Sequence, residues 1–166
     1  SPADGRLLLI TPEDKCYETQ VDVQVGKDNK AGLVLFYNEK AFAGVISDGK
    51  NFTVYRNAEQ TETIPNKIGR NFKVKLLNQG NKVKMMVSKD GNAWTVLAED
   101  VDVSDMHHNK YKGFFALRAG LLSCGKGDAG FSQFRYRNAV PQEKDMSAYL
   151  MVFHKDETHG LYMAVS

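Results

Sequence analysis

Tyr17-Glu18-Thr19-Gln20-Val21-Asp22-Val23-Gln24-Val25, followed shortly by Ala31-Gly32-Leu33-Val34-Leu35-Phe36-Tyr37, decides the fold. In the first stretch Tyr17, Thr19, Val21, Val23 and Val25 alternate with Glu18, Gln20, Asp22 and Gln24. A period of two with one polar parity is the mark of a half-buried antiparallel strand. The second stretch has no polar parity. Leu33 and Leu35 share one face, and Val34 and Phe36 share the other. Such a strand lies between two layers, or has its outer face covered by something else.

The same signals continue on either side of these strands. Phe42–Ile46 and Phe52–Tyr55 are separated by Ser47-Asp48-Gly49-Lys50, where glycine accepts the positive φ of a tight hairpin. Phe72, Val74 and Leu76 oppose Lys73 and Lys75. After the turn Asn78-Gln79-Gly80-Asn81, Val83, Met85 and Val87 alternate with Lys82, Lys84 and Met86. A second Asp-Gly turn, Ser88-Lys89-Asp90-Gly91-Asn92-Ala93-Trp94, leads to Thr95–Leu97. Gly113–Leu117 and Ala129–Tyr136 complete the set. In the last strand Ala129 and Phe131 have one parity, Phe134 and Tyr136 the other. One face can hold all four only if a β-bulge lies near Ser132-Gln133. Val103–Asn109 reads as a single helical turn. Short strands with turns between them, and no convincing helix, predict an all-β antiparallel sandwich over residues 1–138.

Residues 139–148, with Pro141 and mixed charges, have linker character. Beyond them, Tyr149–Phe153 and Leu161–Val165 flank a polar stretch that ends in Gly160, so 149–166 reads as a β-hairpin. A lone hairpin cannot build its own core. It is expected to open a second domain, and to pack on the sandwich or pair with a neighbouring copy.

The chain has 166 residues, 42% of them apolar and 25% charged, with a formal net charge of +2. These values fit a folded domain with a real core, and the charge is too small to suggest a nucleic-acid partner. The longest apolar runs are too short for a membrane-spanning helix. The two cysteines, Cys16 and Cys124, read as semi-buried thiols, with a single bridge closing a long loop as the alternative.

Few residues carry a chemical signature. Glu18 and Asp22 share a strand face, but Gln20 and Gln24 fill the neighbouring slots where a glucanase would need further carboxylates. Asp156 and Glu157 sit side by side at the expected hairpin tip, where they would splay outward. His107 and His108 are adjacent, and His154 and His159 bracket a turn. Neither pair has a third donor at ligand spacing. Gly125-Lys126-Gly127 is too short for a phosphate loop. Lys73, Lys75, Lys82 and Lys84 should share the outer face of one hairpin as a solvated stripe that guards against edge pairing. Ser88–Trp94 resembles a sialidase Asp-box one residue short and reads as a hairpin turn with Trp94 in the core. The sharper alternative makes Trp94 a sugar-stacking platform.

Taken in order, Glu18–Val25, Ala31–Asn38, the Ser88–Trp94 turn, Gly113–Arg118 and Gly127–Arg137 resemble a concanavalin-like, laminin-G-like β-sandwich (a jelly roll). It is the sandwich attached to glycoside hydrolase family 43 enzymes. Tyr149–Ser166 resembles the first blade of that family's catalytic five-bladed propeller. In most members the sandwich follows the propeller, whereas here it precedes it. The resemblance implies a non-catalytic module that buttresses a propeller and lines its substrate cleft. The parent enzyme would hydrolyse arabinose- or xylose-containing polysaccharide with carboxylates on the propeller, which this chain lacks. It also implies a polysaccharide or oligosaccharide partner and an extracellular or periplasmic location. No cofactor is expected beyond a candidate structural calcium at Asp128. Relatives often carry an acidic residue where this chain has Ser132 or Gln133, which weakens that site. The alternative function is a stand-alone, lectin-like glycan-binding module. Its discriminator would be an exposed aromatic set drawn from Tyr37, Phe42, Tyr55 and Trp94.

Overall fold

Alternation of apolar and polar residues builds two antiparallel sheets in the computed structural model, which describes residues 2–140, 150–155 and 160–165, the last two segments as backbone. The six-stranded sheet contains β1 (Arg6–Ile10), β3 (Asn29–Asn38), β4 (Ala41–Ser47), β5 (Asn51–Arg56), β6 (Glu59–Pro65) and β10 (Arg118–Gly125). Its order is β1-β10-β3-β4-β5-β6. The five-stranded sheet contains β2 (Cys16–Val25), β7 (Asn71–Gln79), β8 (Lys82–Ser88), β9 (Thr95–Asp102) and β11 (Ala129–Asn138). Its order is β11-β2-β7-β8-β9. Among the described residues no helix is long and apolar enough to cross a membrane.

The main core lies between the sheets. Val21, Val23 and Val25 from β2 and Val74 and Leu76 from β7 meet Leu33, Leu35 and Tyr37 from β3. The two-faced pattern of β3 has its counterpart in a second apolar cluster, made of Val34, Phe36, Phe42, Ile46, Tyr55 and Leu122. By parity these residues occupy the other face of the six-stranded sheet. The outer face of the five-stranded sheet carries the polar parity of β2, as expected.

The expected β-bulge is present. Pairing of β11 with β2 runs to Ser132↔Asp22 and resumes at Arg135↔Gln20, so two residues oppose Val21 alone. Gln133 takes a left-handed φ of 53°. Phe131, Phe134 and Tyr136 all pack against the main core as a result. The Asp48-Gly49 turn also forms, with the Asp48 carboxylate accepting from the amides of Lys50 and Asn51 and Gly49 at φ 85°.

Three expectations are corrected. Gly113–Leu117 is not a strand. Lys112 and Gly113 both have positive φ and turn the chain outward, and pairing with β3 begins only at Arg118↔Phe36. β1 and β6 add two strands to the expected set. The β6 residues Glu59, Gln60, Thr61, Glu62 and Thr63 are all exposed, so this edge strand is held by backbone pairing to β5 and carries no alternation. The single helical turn lies slightly later than expected, at α1 (His108–Tyr111), where the Nδ1 of His107 accepts from the Asn109 amide. Cys16 and Cys124 are free and half-buried.

At the C-terminus, β12 (Leu150–Lys155) and β13 (Gly160–Val165) pair antiparallel from Leu150↔Val165 to Lys155↔Gly160, which is the expected hairpin. Asp156, Glu157 and His159 lie outside the described residues, as does 141–149 of the linker and hairpin start.

Candidate functional site

The outer face of the five-stranded sheet is an array of paired charges. Glu18 on β2 takes Lys75 on one carboxylate oxygen (3.4 Å) and Arg137 on the other (3.0 Å). Asp22 is bound by Lys73. Lys82 meets Asp102 at 2.8 Å, and Lys84 meets Glu99 at 2.6 Å. The lysine stripe therefore exists, but an acidic neighbour matches each lysine. Paired charges add little net field, and the more exposed pairs at Lys82 and Lys84 add little stability. With its oxygens engaged by cations, Glu18 is not free to approach a glycosidic bond, and Asp22 is tied to Lys73. The glucanase alternative thus lacks its carboxylates.

Trp94 belongs to this face and not to the core, which corrects its expected place. The Asp90 carboxylate accepts from the amides of Asn92 and Ala93, and these donors hold it below the usual carboxylate range. The turn so fixed lets the indole N–H donate to the Gly91 carbonyl at 3.0 Å. The ring is half-buried, and the Lys75 ammonium sits 4.3 Å from its centroid. A cation over one ring face uses that face for a cation–π contact.

The other three aromatic candidates are buried. Tyr37 lies between the sheets, whereas Phe42 and Tyr55 lie in the second cluster on the far side of the six-stranded sheet. Phe42 stacks on Phe36 and packs against Tyr55. Burial pushes the Tyr55 phenol up, and its oxygen accepts from Gln60. The four rings therefore sit in three separate places and form no platform. Asp128 is exposed in the turn before β11, where its backbone carbonyl accepts from the Gly26 amide. No group of three metal-ligating side chains occurs among the described residues. A lone exposed carboxylate does not fit calcium, which takes six to eight oxygen ligands.

The feature that sequence reasoning missed is the loop between α1 and β10. Phe114 is 93% exposed and Phe115 55% exposed. Beneath them, the buried Tyr37 hydroxyl shares its one proton between the carbonyls of Lys112 (2.9 Å) and Gly113 (2.6 Å). Arg118 donates to the Tyr37 carbonyl and lays its guanidinium 5.3 Å from the Phe115 ring. Phe115 meets Tyr37 edge-on at 5.9 Å, and Phe114 stacks on His108 at 5.3 Å. Alongside, Asp105 binds Lys110, Asn57 and Arg56. Burial opposes the charge on Asp105, but these donors outweigh it and hold the carboxyl below its ordinary range. Lys110 is held above its own range by Asp105. The loop thus displays two aromatic rings from a hydrogen-bonded base rimmed by cations. A signal was present in the sequence: two adjacent phenylalanines cannot share one face of a period-two strand, and Lys112-Gly113 before them suits a turn.

The family model described as the beta-xylosidase C-terminal concanavalin A-like domain matches residues 11–137. Among solved structures, the GH43 protein BlXynB of Bacillus licheniformis is 16% identical, with a TM-score of 0.69 over 81% of this chain and 30% of that one. The xylan beta-1,4-xylosidase of Bacillus halodurans C-125 is also 16% identical, with a TM-score of 0.67 over 83% of this chain and 31% of that one. The carbohydrate-binding module CBM66 of Bacillus subtilis is 12% identical, with a TM-score of 0.53 over 81% of this chain and 82% of that one. At these identities the likeness shows the fold. This chain spans under a third of the length of the first two of these proteins. No curated protein matches it.

Proposed function

This chain belongs to the family of beta-xylosidase C-terminal concanavalin A-like domains, and from that premise we propose that it is the non-catalytic sandwich of a glycoside hydrolase acting on arabinose- or xylose-containing polysaccharide. It supports the catalytic domain and lends one wall to the substrate cleft. The hairpin that follows it is read as the first strands of a propeller. A polymeric substrate of this kind is met outside the cytoplasm, in the extracellular or periplasmic space.

The observation that carries the reading is Phe114. A phenylalanine exposed to 93% beside a second exposed ring is what a contact surface looks like. Here the chain also holds the loop still, through Tyr37 and Arg118. Aromatic faces suit the C–H faces of sugars, and a pre-ordered loop avoids the entropy cost of ordering on binding. Three of the four rings proposed for a stand-alone lectin are buried, so that alternative has no comparable platform.

The test uses the parent enzyme. Phe114→Ala should raise KM for a xylo- or arabino-oligosaccharide by about tenfold, the effect of losing ~1.4 kcal/mol of apolar contact. The kcat should hardly change, and Phe114→Tyr should keep most of the affinity. Unchanged kinetics in Phe114→Ala would remove the loop from the cleft. Tight binding of xylan by the isolated chain would favour the lectin alternative instead.

A further inference from the structure

The second apolar cluster lies on the wrong side of the sheet for the sandwich core. Val34, Phe36, Phe42, Ile46, Tyr55 and Leu122 occupy the outer face of β3, β4, β5 and β10, and each is 7% exposed or less. The five-stranded sheet covers the opposite face. Among the described residues, the apolar neighbours packed on this cluster are Ala3, Leu7, Leu9, Ala58 and Cys124, at its margins. Side chains of this size, buried to this degree, require a further layer.

We propose that the outer face of the six-stranded sheet is a docking surface, and that its occupant is this chain's own C-terminal hairpin, β12–β13. Register supports the match. Leu150, Val152, His154, Leu161, Met163 and Val165 share one face of the hairpin, and Met151, Phe153, Lys155, Gly160, Tyr162 and Ala164 share the other, so the polar residues of each face lie at the turn end. A two-stranded hairpin with two largely apolar faces is marginal in water and gains its stability from packing on something else. The connection is long enough. The chain leaves β11 beside Cys16, where the Ala139 amide donates to the Cys16 carbonyl. Segment 141–149 can span at most about 30 Å when extended, against two layer spacings of roughly 10 Å each from β11 to the outer side of the six-stranded sheet. The inference holds whether or not the hairpin goes on to form a propeller. If it does, this face is where the sandwich grips the following domain.

Val34 belongs to the cluster and is fully buried, so a thiol placed there reports on the cover. The experiment uses the full chain with Cys16→Ser, Cys124→Ser and Val34→Cys, so that the sole thiol lies within the cluster. It measures the rate of maleimide labelling and the molar mass by light scattering. Two paired variants are added, each altering cross-strand partners on one hairpin face: Val152→Asp with Met163→Asp, and Phe153→Asp with Tyr162→Asp. The expected parent is a monomer that labels slowly. At least one pair should raise the rate by about tenfold or more while unfolding of the sandwich stays cooperative. Equal rates in the parent and both pairs would overturn the proposal. So would a dimeric parent whose labelling accelerates on dilution, since a second copy would then be the cover. Neither outcome bears on Phe114, so this test can fail independently of the proposed function.

Discussion

The two sheets share one core, yet their outer faces are opposites. On the five-stranded sheet, the outward residues of β2 and β7 are Glu18, Gln20, Asp22, Lys73 and Lys75, and the four charged ones are tied into ion pairs. On the six-stranded sheet, the outward residues of β3 and β4 are Val34, Phe36, Phe42 and Ile46. β2 and β3 are each ten residues long. Their inner faces are both largely apolar, so the outer parity is what tells one sheet from the other. A polar outer parity describes a sheet that faces water. An apolar outer parity describes one that has a partner.

The sharpest way to break this comparison is to make equal cuts on both faces. Phe42→Ala should cost about 3–4 kcal/mol, the range for truncating a large buried ring. Lys73→Ala on the open face should cost under ~1 kcal/mol, as for a partly exposed ion pair. Urea unfolding of both variants measures the difference, and similar small losses would mean that the six-stranded sheet has no covering layer.

The inner face offers a pH test. Burial, and to a lesser extent the neighbouring Tyr136, pushes the Tyr17 phenol well above its ordinary value. Above pH ~10 the unfolded chain loses this proton while the folded chain keeps it. Stability from Tyr17 is therefore intact below pH 10 and falls by up to about 1.4 kcal/mol per pH unit above it. Unfolding midpoints between pH 9 and 11 should decline in the parent and decline less in Tyr17→Phe. Parallel declines would show that the phenol is not responsible.

An effect of similar size is expected at the loop. Tyr37→Phe leaves the ring in the core but removes the donor to Lys112 and Gly113, at a cost of about 1–2 kcal/mol. Trypsin should then cut faster after Lys112. Undiminished resistance would mean that the loop is braced by Arg118 and ring packing alone. The smallest effect belongs to Lys82→Ala, which removes the more exposed ion pair with Asp102 on the same face. Its thermal midpoint should shift by the equivalent of under about 1 kcal/mol, and a larger shift would mean that these pairs contribute more than a solvated face does.

How much could be read in advance follows the same division. β2, β3, β7 and β8 were legible because packing on one or both faces imposes a strict period of two. The bulge in β11 was legible because Phe131 and Phe134 break that period while both pack on the core. β6 was not, because an exposed edge strand is held by backbone bonds that any side chain permits. The aromatic candidates show the limit most clearly. Parity places Tyr37 and Phe42 on opposite faces, but it does not say which faces are covered. Trp94 escaped the core because its turn, set by Asp90, directs the ring to Gly91 and Lys75. Phe114 was hidden by its likeness to a strand residue, and only the positive φ of Lys112 and Gly113 lifts it into solvent.

The most direct measurement is hydroxyl-radical footprinting of the full chain, read residue by residue by mass spectrometry. The expected result is heavy oxidation of Phe114 and Phe115, intermediate oxidation of Trp94, and protection of Phe36, Phe42 and Tyr55 equal to that of Tyr37 in the main core. Oxidation of Phe36, Phe42 and Tyr55 at the level of Phe114 would contradict the comparison, since the outer face of the six-stranded sheet would then be as open as that of its partner.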